Sequence, residues 1–190
     1  MPSNAYTGHL VALLRDAEEL DEAHAALRTG APGRQYGPAA LNRATVVMCV
    51  SAWEAYIEEL VRESLAAVRP PGISDPIWNL LQAPTLRALQ RFNTPNTDQV
   101  RQSLAESIGA PDISASWTWR SCTATRARER LREAMDYRHQ VAHGVNPRPI
   151  IHNSYSSELP NFFRRLGRCT DNAVRTHLVN TLGIANPWPP

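Results

Sequence analysis

The side chains best suited to chemistry fall within one short segment of the chain, residues 137–144, which contains Arg138, His139 and His143. In a helix, His139 and His143 stand at positions i and i+4 and share a face, with Arg138 near the edge of that face. Arginine can neutralise phosphate charge and histidine can transfer protons, and cleavage of an RNA phosphodiester requires both operations. The spacing therefore indicates a candidate catalytic site for RNA cleavage.

Two other interpretations of these residues remain open. Cations are common in the last turn of a helix, so the three side chains could be solvated helix-end groups without chemistry. Two histidines four residues apart could instead bind zinc. A third ligand is not evident nearby, because a loop that contains prolines separates His152 from His143. We expect no metal and no other cofactor at this site.

Helices must position this segment, because the apolar residues of the chain recur with helical periodicity and no region shows a strand pattern. Gly144 and Pro147 follow the segment and predict that it closes a helix. The fold class is therefore all-α, an up-and-down bundle of four to six helices. The four long helices predicted from the pattern cover about residues 5–28, 38–68, 123–143 and 158–182.

The connections between the long helices are less regular. Residues 29–33 contain glycine and proline and should end the first helix. Residues 74–89 predict two short helical pieces, and 97–108 predicts a helix capped by its first residue, a threonine. A loop that carries Trp117 and Trp119 should follow. These tryptophans could stack on bases, although large aromatic residues after a loop are more often core anchors.

The chain has 190 residues, which fits one domain with a core at about 5–182 and an irregular tail at 183–190. No apolar run reaches the ~20 residues of a membrane span, and the N-terminus does not resemble a signal peptide. The three cysteines, Cys49, Cys122 and Cys169, are odd in number and widely spaced. That pattern favours reduced thiols in a cytoplasmic protein over a disulfide framework.

The formal net charge of +2 is too small to indicate nucleic-acid binding by itself, but all 20 basic residues are arginines. Arginine binds phosphate with two parallel hydrogen bonds and stacks on bases. Residues 126–133 form the most basic run, in which Arg128 and Arg132 share one face and Arg126 and Arg130 share another. We predict that Arg128 and Arg132 bind RNA. The alternative is an exposed helix face held by ion pairs with neighbouring glutamates.

Two sequence blocks resemble those of a known family. Arg138 followed by His143 resembles the signature of the HEPN superfamily (higher eukaryote and prokaryote nucleotide-binding), which is an arginine and a nearby histidine late in a helical bundle. The stretch 51–60, which begins Ser-Ala-Trp-Glu, resembles the Ser-x-Trp-Glu segment in the second helix of a bacterial, RiboL-PSP-HEPN-like subgroup. The two blocks occur in the expected order, and the resemblance covers roughly residues 5–180.

The resemblance implies a homodimer in which two Arg/His motifs face each other across a cleft, the site of metal-independent endoribonuclease activity in many members. It implies that Arg138 binds phosphate, His143 transfers protons, Glu54 orients them and His139 assists. The family often has Asn or Asp where this chain has His139, so that role is the least defined. Implied partners are RNA, a second copy and an antitoxin or other partner protein, in a toxin or phage-defence setting. Other members have lost catalysis and bind only a nucleotide or a partner.

Overall fold

The computed structural model describes residues 1–27, 36–93, 95–144 and 150–188. Within these ranges the chain is helical, and a single bridge between Trp119 and Cys122 is the only contact of the strand type. The prediction of an all-α bundle is therefore confirmed. The described elements are a π-helical segment Ala5–Leu10, then α1 Val11–Leu27, α2 Tyr36–Ala67, α3 Asp75–Leu89, α4 Thr97–Ile108, a 3-10 turn Ile113–Ser116, α5 Ala124–Ala142 and α6 Asn153–Asn180.

The central helix of the bundle is α2, which contacts α1, α4, α5 and α6. Its middle is largely apolar, as expected for a helix that neighbours cover over most of its circumference, although Ser51 is exposed and Glu54 is partly buried. Trp53, Tyr56 and Leu60 are fully buried there. The Trp53 indole N–H donates a hydrogen bond to the Pro95 carbonyl oxygen at 2.9 Å, which fixes the rotation of α2 about its axis. That rotation decides which polar residues of α2 face α5.

Two carboxylates hold the N-terminal segment against α2 and α6. Asp171 of α6 accepts hydrogen bonds from the Ser3 backbone N–H, at 3.2 Å, and from the Ser3 hydroxyl. Glu63 of α2 accepts a hydrogen bond from the Ala5 N–H at 3.2 Å. The first N–H groups of a helix have no partner within it, and these carboxylates supply one.

Two predictions for the region between α2 and α5 are wrong in detail. The sequence predicts two short helical pieces where the structure has the single helix α3, with Pro84 inside it. Proline lacks the N–H that would bond to the Leu80 carbonyl, but both residues are exposed, so water can satisfy that carbonyl. The cap of α4 is Asn96, not Thr97, because the Asn96 side-chain oxygen accepts a hydrogen bond from an N–H of the first turn at 2.9 Å.

The ends of α5 agree with the predicted helix. The Thr123 hydroxyl oxygen accepts a hydrogen bond from the Arg126 N–H at 3.3 Å and so caps the first turn. His143 is the C-cap, and Gly144 follows with a φ of 62°, a left-handed conformation that glycine adopts without strain. The chain therefore leaves the helix immediately after His143.

The last helix, α6, begins earlier than predicted. The sequence predicts a start near residue 158, but α6 begins at Asn153. The buried Ser156 hydroxyl donates a hydrogen bond to the Asn42 side-chain oxygen of α2 at 3.2 Å, and this contact stabilises the additional first turn. After α6 the chain is irregular through residue 188, as expected for the tail, with Trp188 buried against the core.

Some predictions concern residues that the structure does not describe. The predicted helix end at 29–33, residue 94 of the loop before α4, and most of the loop after Gly144 lie outside the described residues. Among the helices that are described, none combines the length and the apolar character that a membrane span requires.

Candidate functional site

The core-facing stripe of α5 leads directly to Arg138. Ala127, Leu131 and Ala134 are fully buried at spacings of four and three residues. Arg138 continues this stripe four residues later, so its side chain extends towards α2. It lies where the interface between the two helices opens to solvent, and 30% of the side chain is exposed. The packing of α5 therefore sets the position of this guanidinium.

Glu54 of α2 lies beside Arg138. The distance from Glu54 Oε2 to Arg138 Nη2 is 3.9 Å, and 22% of the Glu54 side chain is exposed. Partial burial raises the pKa of the Glu54 carboxyl above its ordinary value; the Arg138 guanidinium opposes this rise and Glu58 adds to it. The separation is that of an ion pair and exceeds a hydrogen bond. Glu54 can thus orient Arg138 while the guanidinium N–H groups bind an anionic ligand.

His139 and His143 share a face of α5, as their spacing predicts, but Arg138 does not lie at the edge of that face, because it extends towards α2. Their ring centroids are 4.2 Å apart with a tilt of 46°, and both residues are exposed. The His143 backbone N–H donates a hydrogen bond to the His139 carbonyl oxygen at 3.0 Å and closes the last turn. A zinc site would need at least one further ligand. In the described ranges, no three His, Cys, Asp or Glu residues come together as a metal-binding group.

Arg138 and His143 extend in different directions from α5. Residues five apart in a helix differ by about 140° around the axis and by about 7.5 Å along it. Accordingly, Arg138 lies at the boundary with α2, whereas His143 lies on the outer surface at the helix end. An acid–base site that uses both side chains therefore needs a ligand that spans the helix end, or a second chain.

The two predicted RNA-binding arginines lie on the same stripe of α5 as the histidines, but their environments differ. Arg128 Nε donates a hydrogen bond to Ser114 Oγ at 2.9 Å, and Arg128 Nη2 is 3.6 Å from Asp112 Oδ2. Arg132 is exposed and forms no ion pair with any residue that the structure describes. Both arginines line a cavity of about 380 Å³ between α4 and α5. Arg132 is thus the more available of the two for a phosphate.

Residues 12–176 match the sequence profile of a protein family described as RiboL-PSP-HEPN. The chain belongs to the RiboL-PSP-HEPN family. The match covers most of the chain and includes Glu54, Arg138 and His143, and it confirms the superfamily membership that the two sequence blocks indicate. Neither the comparison with curated proteins nor the comparison with solved structures finds a match.

Asn42 of this RiboL-PSP-HEPN chain stabilises the segment that follows the candidate site. The sequence pattern did not identify this residue. Asn42 is buried in α2, and its Nδ2 donates a hydrogen bond to the Ile151 carbonyl oxygen at 3.0 Å. Its side-chain oxygen accepts the hydrogen bond from Ser156 described above. Because Ile151 and Ser156 follow the candidate site in the chain, Asn42 fixes where the chain returns to the bundle after His143. A buried side-chain amide requires hydrogen-bond partners. An asparagine just before the apolar middle of α2 was therefore the signal in the sequence for a polar contact inside the bundle.

Asp112 and Ser114, which contact the Arg128 guanidinium, were also not predicted from the sequence. Burial alone would raise the pKa of Asp112, but the hydrogen bonds from Ser114 and the guanidinium groups of Arg101 and Arg128 lower it overall. Arg101 Nε is 3.1 Å from Asp112 Oδ1. One aspartate therefore holds two arginines of the RiboL-PSP-HEPN bundle in place, which reduces the positive charge of this side of the cavity.

The two tryptophans of the loop before α5 have different environments. Trp117 is fully buried, and its indole N–H donates a hydrogen bond to the Thr170 hydroxyl oxygen at 2.9 Å. It is a core anchor and cannot stack on a base. Trp119 is partly exposed, and its ring packs beside Phe162 with centroids 6.0 Å apart. Trp119 therefore keeps a surface that a ligand can reach.

Proposed function

We propose that this protein is a metal-independent endoribonuclease of the HEPN type. The observation that carries the proposal is the pairing of Arg138 with Glu54 at an open edge of the bundle, with His143 exposed at the end of the same helix. A guanidinium held in a fixed position can neutralise a scissile phosphate, and an exposed imidazole can transfer protons.

The proposed reaction is an internal transesterification of RNA. The ribose 2′-oxygen attacks the adjacent phosphorus, and the bond from phosphorus to the 5′-oxygen of the next nucleotide breaks. A base removes the 2′-hydroxyl proton and an acid protonates the leaving 5′-oxygen, so the products carry a 2′,3′-cyclic phosphate and a 5′-hydroxyl. Arg138 neutralises the non-bridging oxygens, and Glu54 positions Arg138. His143 performs one proton transfer, assisted by His139 stacked beside it.

A second proton-transfer group is needed, and a second copy of the chain is proposed to supply it. One imidazole cannot readily act as base and acid in the same reaction. Within one chain, Arg138 and His143 also extend in different directions from α5. A homodimer in which the ends of two α5 helices are adjacent would bring two copies of His143 and two copies of Arg138 around one phosphate.

RNA approaches the site along α5 in this proposal. Arg132 lies on the same stripe as the two histidines and is exposed, so it can bind the phosphate of a neighbouring nucleotide. Arg128 contributes less, because Ser114 and Asp112 already engage its guanidinium. Its main effect is to hold the turn before α5 in place.

The biological setting in this proposal is a toxin or phage-defence effector that acts on cytoplasmic RNA. The resemblance to HEPN proteins supports it, because many of them act in such settings. An antitoxin or other partner protein would restrain such an activity. Induced expression should therefore slow bacterial growth, and the inactive variants described below should relieve the effect.

A second candidate function is a non-catalytic module that binds a nucleotide or a partner protein through the same residues. The different directions of Arg138 and His143 within one chain favour it. Arg138, held by Glu54, can bind a phosphate without any proton transfer. In this case the histidines would contribute contacts but no chemistry.

The experiment that separates the two functions compares the wild type with His143→Ala and Arg138→Ala on total RNA. A nuclease should lose ~10²–10⁴-fold of its cleavage rate in each variant. Arg87→Ala is the matched control, because Arg87 is an exposed arginine on α3. Equal RNA integrity with the wild type and His143→Ala, when all proteins are folded, would exclude the nuclease and leave the binding module.

A further inference from the structure

Arg126 and Arg130 line a cavity that the proposed ribonuclease site does not use. They are offset by two residues from Arg128 and Arg132, which turns them by about 200° around α5, to its other side. The cavity has a volume of about 360 Å³ and lies between the turn before α5, the first half of α5 and α6. That volume is within the range of sites that bind small molecules.

Positive charge exceeds negative charge in this cavity, since Arg126, Arg130 and Arg165 line it together with a single acid, Glu158. Glu158 is 2.8 Å from Arg130 and so engages that arginine. The Arg126 side chain is 62% exposed, and its one ion pair with a described residue is to Glu129 of its own helix, at 3.3 Å. Arg165 is exposed and has no ion pair in the part of the chain that is described. Two guanidinium groups are therefore accessible to an anion.

The remaining wall of the cavity is aromatic. Trp119 is partly exposed beside Phe162, and the guanidinium carbon of Arg130 lies 5.2 Å from the centroid of the Phe162 ring. Glu158 engages the Arg130 guanidinium and the Phe162 ring packs against it, so Arg126 and Arg165 are the arginines of this cavity that a ligand can reach.

We propose that this cavity binds a nucleoside phosphate, with the base against Trp119 and the phosphate between Arg126 and Arg165. An aromatic ring beside guanidinium groups is the combination that stacks on a base and binds its phosphate. The nucleoside phosphate comes either from a free nucleotide or from one position of an RNA strand. The site is separate from Arg138 and His143, and it does not depend on RNA cleavage.

The test measures binding of two probes to the full-length protein, AMP and a pentamer of 2′-O-methyl RNA. The pentamer lacks the attacking hydroxyl, so it stays intact whether or not the protein cleaves RNA. Two-dimensional NMR of the tryptophan indole N–H groups, with the Trp119 signal assigned from Trp119→Phe, locates the ligand. A probe that occupies the cavity should shift the Trp119 signal and leave that of buried Trp117 nearly unchanged.

The variants Arg126→Ala and Arg165→Ala should each weaken binding about tenfold or more, since each removes a charged hydrogen bond to phosphate. Arg87→Ala, which removes one exposed arginine from α3, should not. Binding of AMP would identify a free nucleotide as the ligand, and binding of the pentamer alone would identify an RNA strand. The proposal is overturned if neither probe shifts Trp119 at about 1 mM, or if Arg126→Ala and Arg165→Ala bind as tightly as Arg87→Ala.

Discussion

Glu54 and Arg138 lie 3.9 Å apart across the interface between α2 and α5. Both are fixed by their neighbours in the core. Trp53, next to Glu54, is buried and donates a hydrogen bond to the Pro95 carbonyl oxygen. This contact fixes the rotation of α2, so Glu54 faces α5 in a defined orientation. Arg138 continues the buried stripe of α5. The guanidinium is therefore placed before any ligand binds, as a preorganised electrostatic site requires.

Glu54→Gln should reduce RNA cleavage while the fold stays intact. Glutamine keeps the volume of the side chain but removes the charge that orients Arg138, and a small displacement of a positioned group costs up to ~10²-fold in rate. We expect a loss between about tenfold and a hundredfold, less than for Arg138→Ala. Glu59→Gln is the matched control, because Glu59 pairs with Arg62 of its own helix at 3.9 Å. Equal cleavage rates for both glutamine variants would show that Glu54 does not position Arg138 for catalysis.

His139→Ala should be milder than His143→Ala. His143 lies at the exposed end of α5, whereas His139 lies one turn earlier. In the proposed site His139 therefore contacts the phosphate from behind His143. Both substitutions are at exposed positions, so each should cost on the order of 1 kcal/mol of stability or less. Cleavage rates of the two variants, measured with their thermal melting, check this. A larger loss for His139→Ala would exchange the roles of the two histidines.

The protein should be a homodimer in solution. The acid–base scheme needs two imidazoles at one phosphate, and one chain offers His143 on a side of α5 that Arg138 does not share. Light scattering at micromolar concentration should give about 42 kDa, twice the 21.1 kDa of one chain. A stable 21.1 kDa species that still cleaves RNA would require both proton transfers to occur within one chain.

The positions of the long helices could be predicted from the sequence, because local signals define them. Thr123 caps α5, and Gly144 ends it with a positive φ. The start of α6 could not be predicted in the same way. It depends on the contact between Ser156 and Asn42, which are far apart in the chain. The continuity of α3 through Pro84 likewise depends on the exposure of the Leu80 carbonyl, which the sequence does not reveal.

The sequence identified the candidate site residues by type and spacing, but not the contacts that they make with other helices and turns. Helical spacing predicts that His139 and His143 share a face of α5, and their rings lie beside each other. The engagement of Arg128 by Ser114 and Asp112 is a contact between a turn and a helix, and no periodic pattern encodes it. The availability of an arginine for RNA is therefore a tertiary property.

Asp171 should make the stability of the protein depend on pH. Burial raises the pKa of this carboxyl above its ordinary value of 3.8, although hydrogen bonds from Ser3 oppose the rise. The folded state then binds a proton more readily than the unfolded state. The contribution of Asp171 to the free energy of unfolding should therefore fall as pH rises through the raised pKa, and recover as pH is lowered towards about 4.

Urea unfolding of the wild type and Asp171→Asn at a series of pH values measures this contribution. The stability of Asp171→Asn relative to the wild type should increase with pH, since asparagine carries no charge to bury. Asp98→Asn is the control, because the Asp98 side chain is 88% exposed. A difference between Asp171→Asn and the wild type that is constant, or that falls with pH, would contradict the assignment.

The chemical form of the RNA ends distinguishes the proposed nuclease from a metal-dependent nuclease and from a binding module. Single-stranded RNA is incubated with the folded wild type in excess EDTA, and the 3′ ends of the products are identified by mass spectrometry. We expect 2′,3′-cyclic phosphates with the wild type and intact RNA with His143→Ala. RNA that stays intact with the wild type, products that end in a 3′-hydroxyl, or cleavage that returns only when zinc or magnesium is added would contradict it.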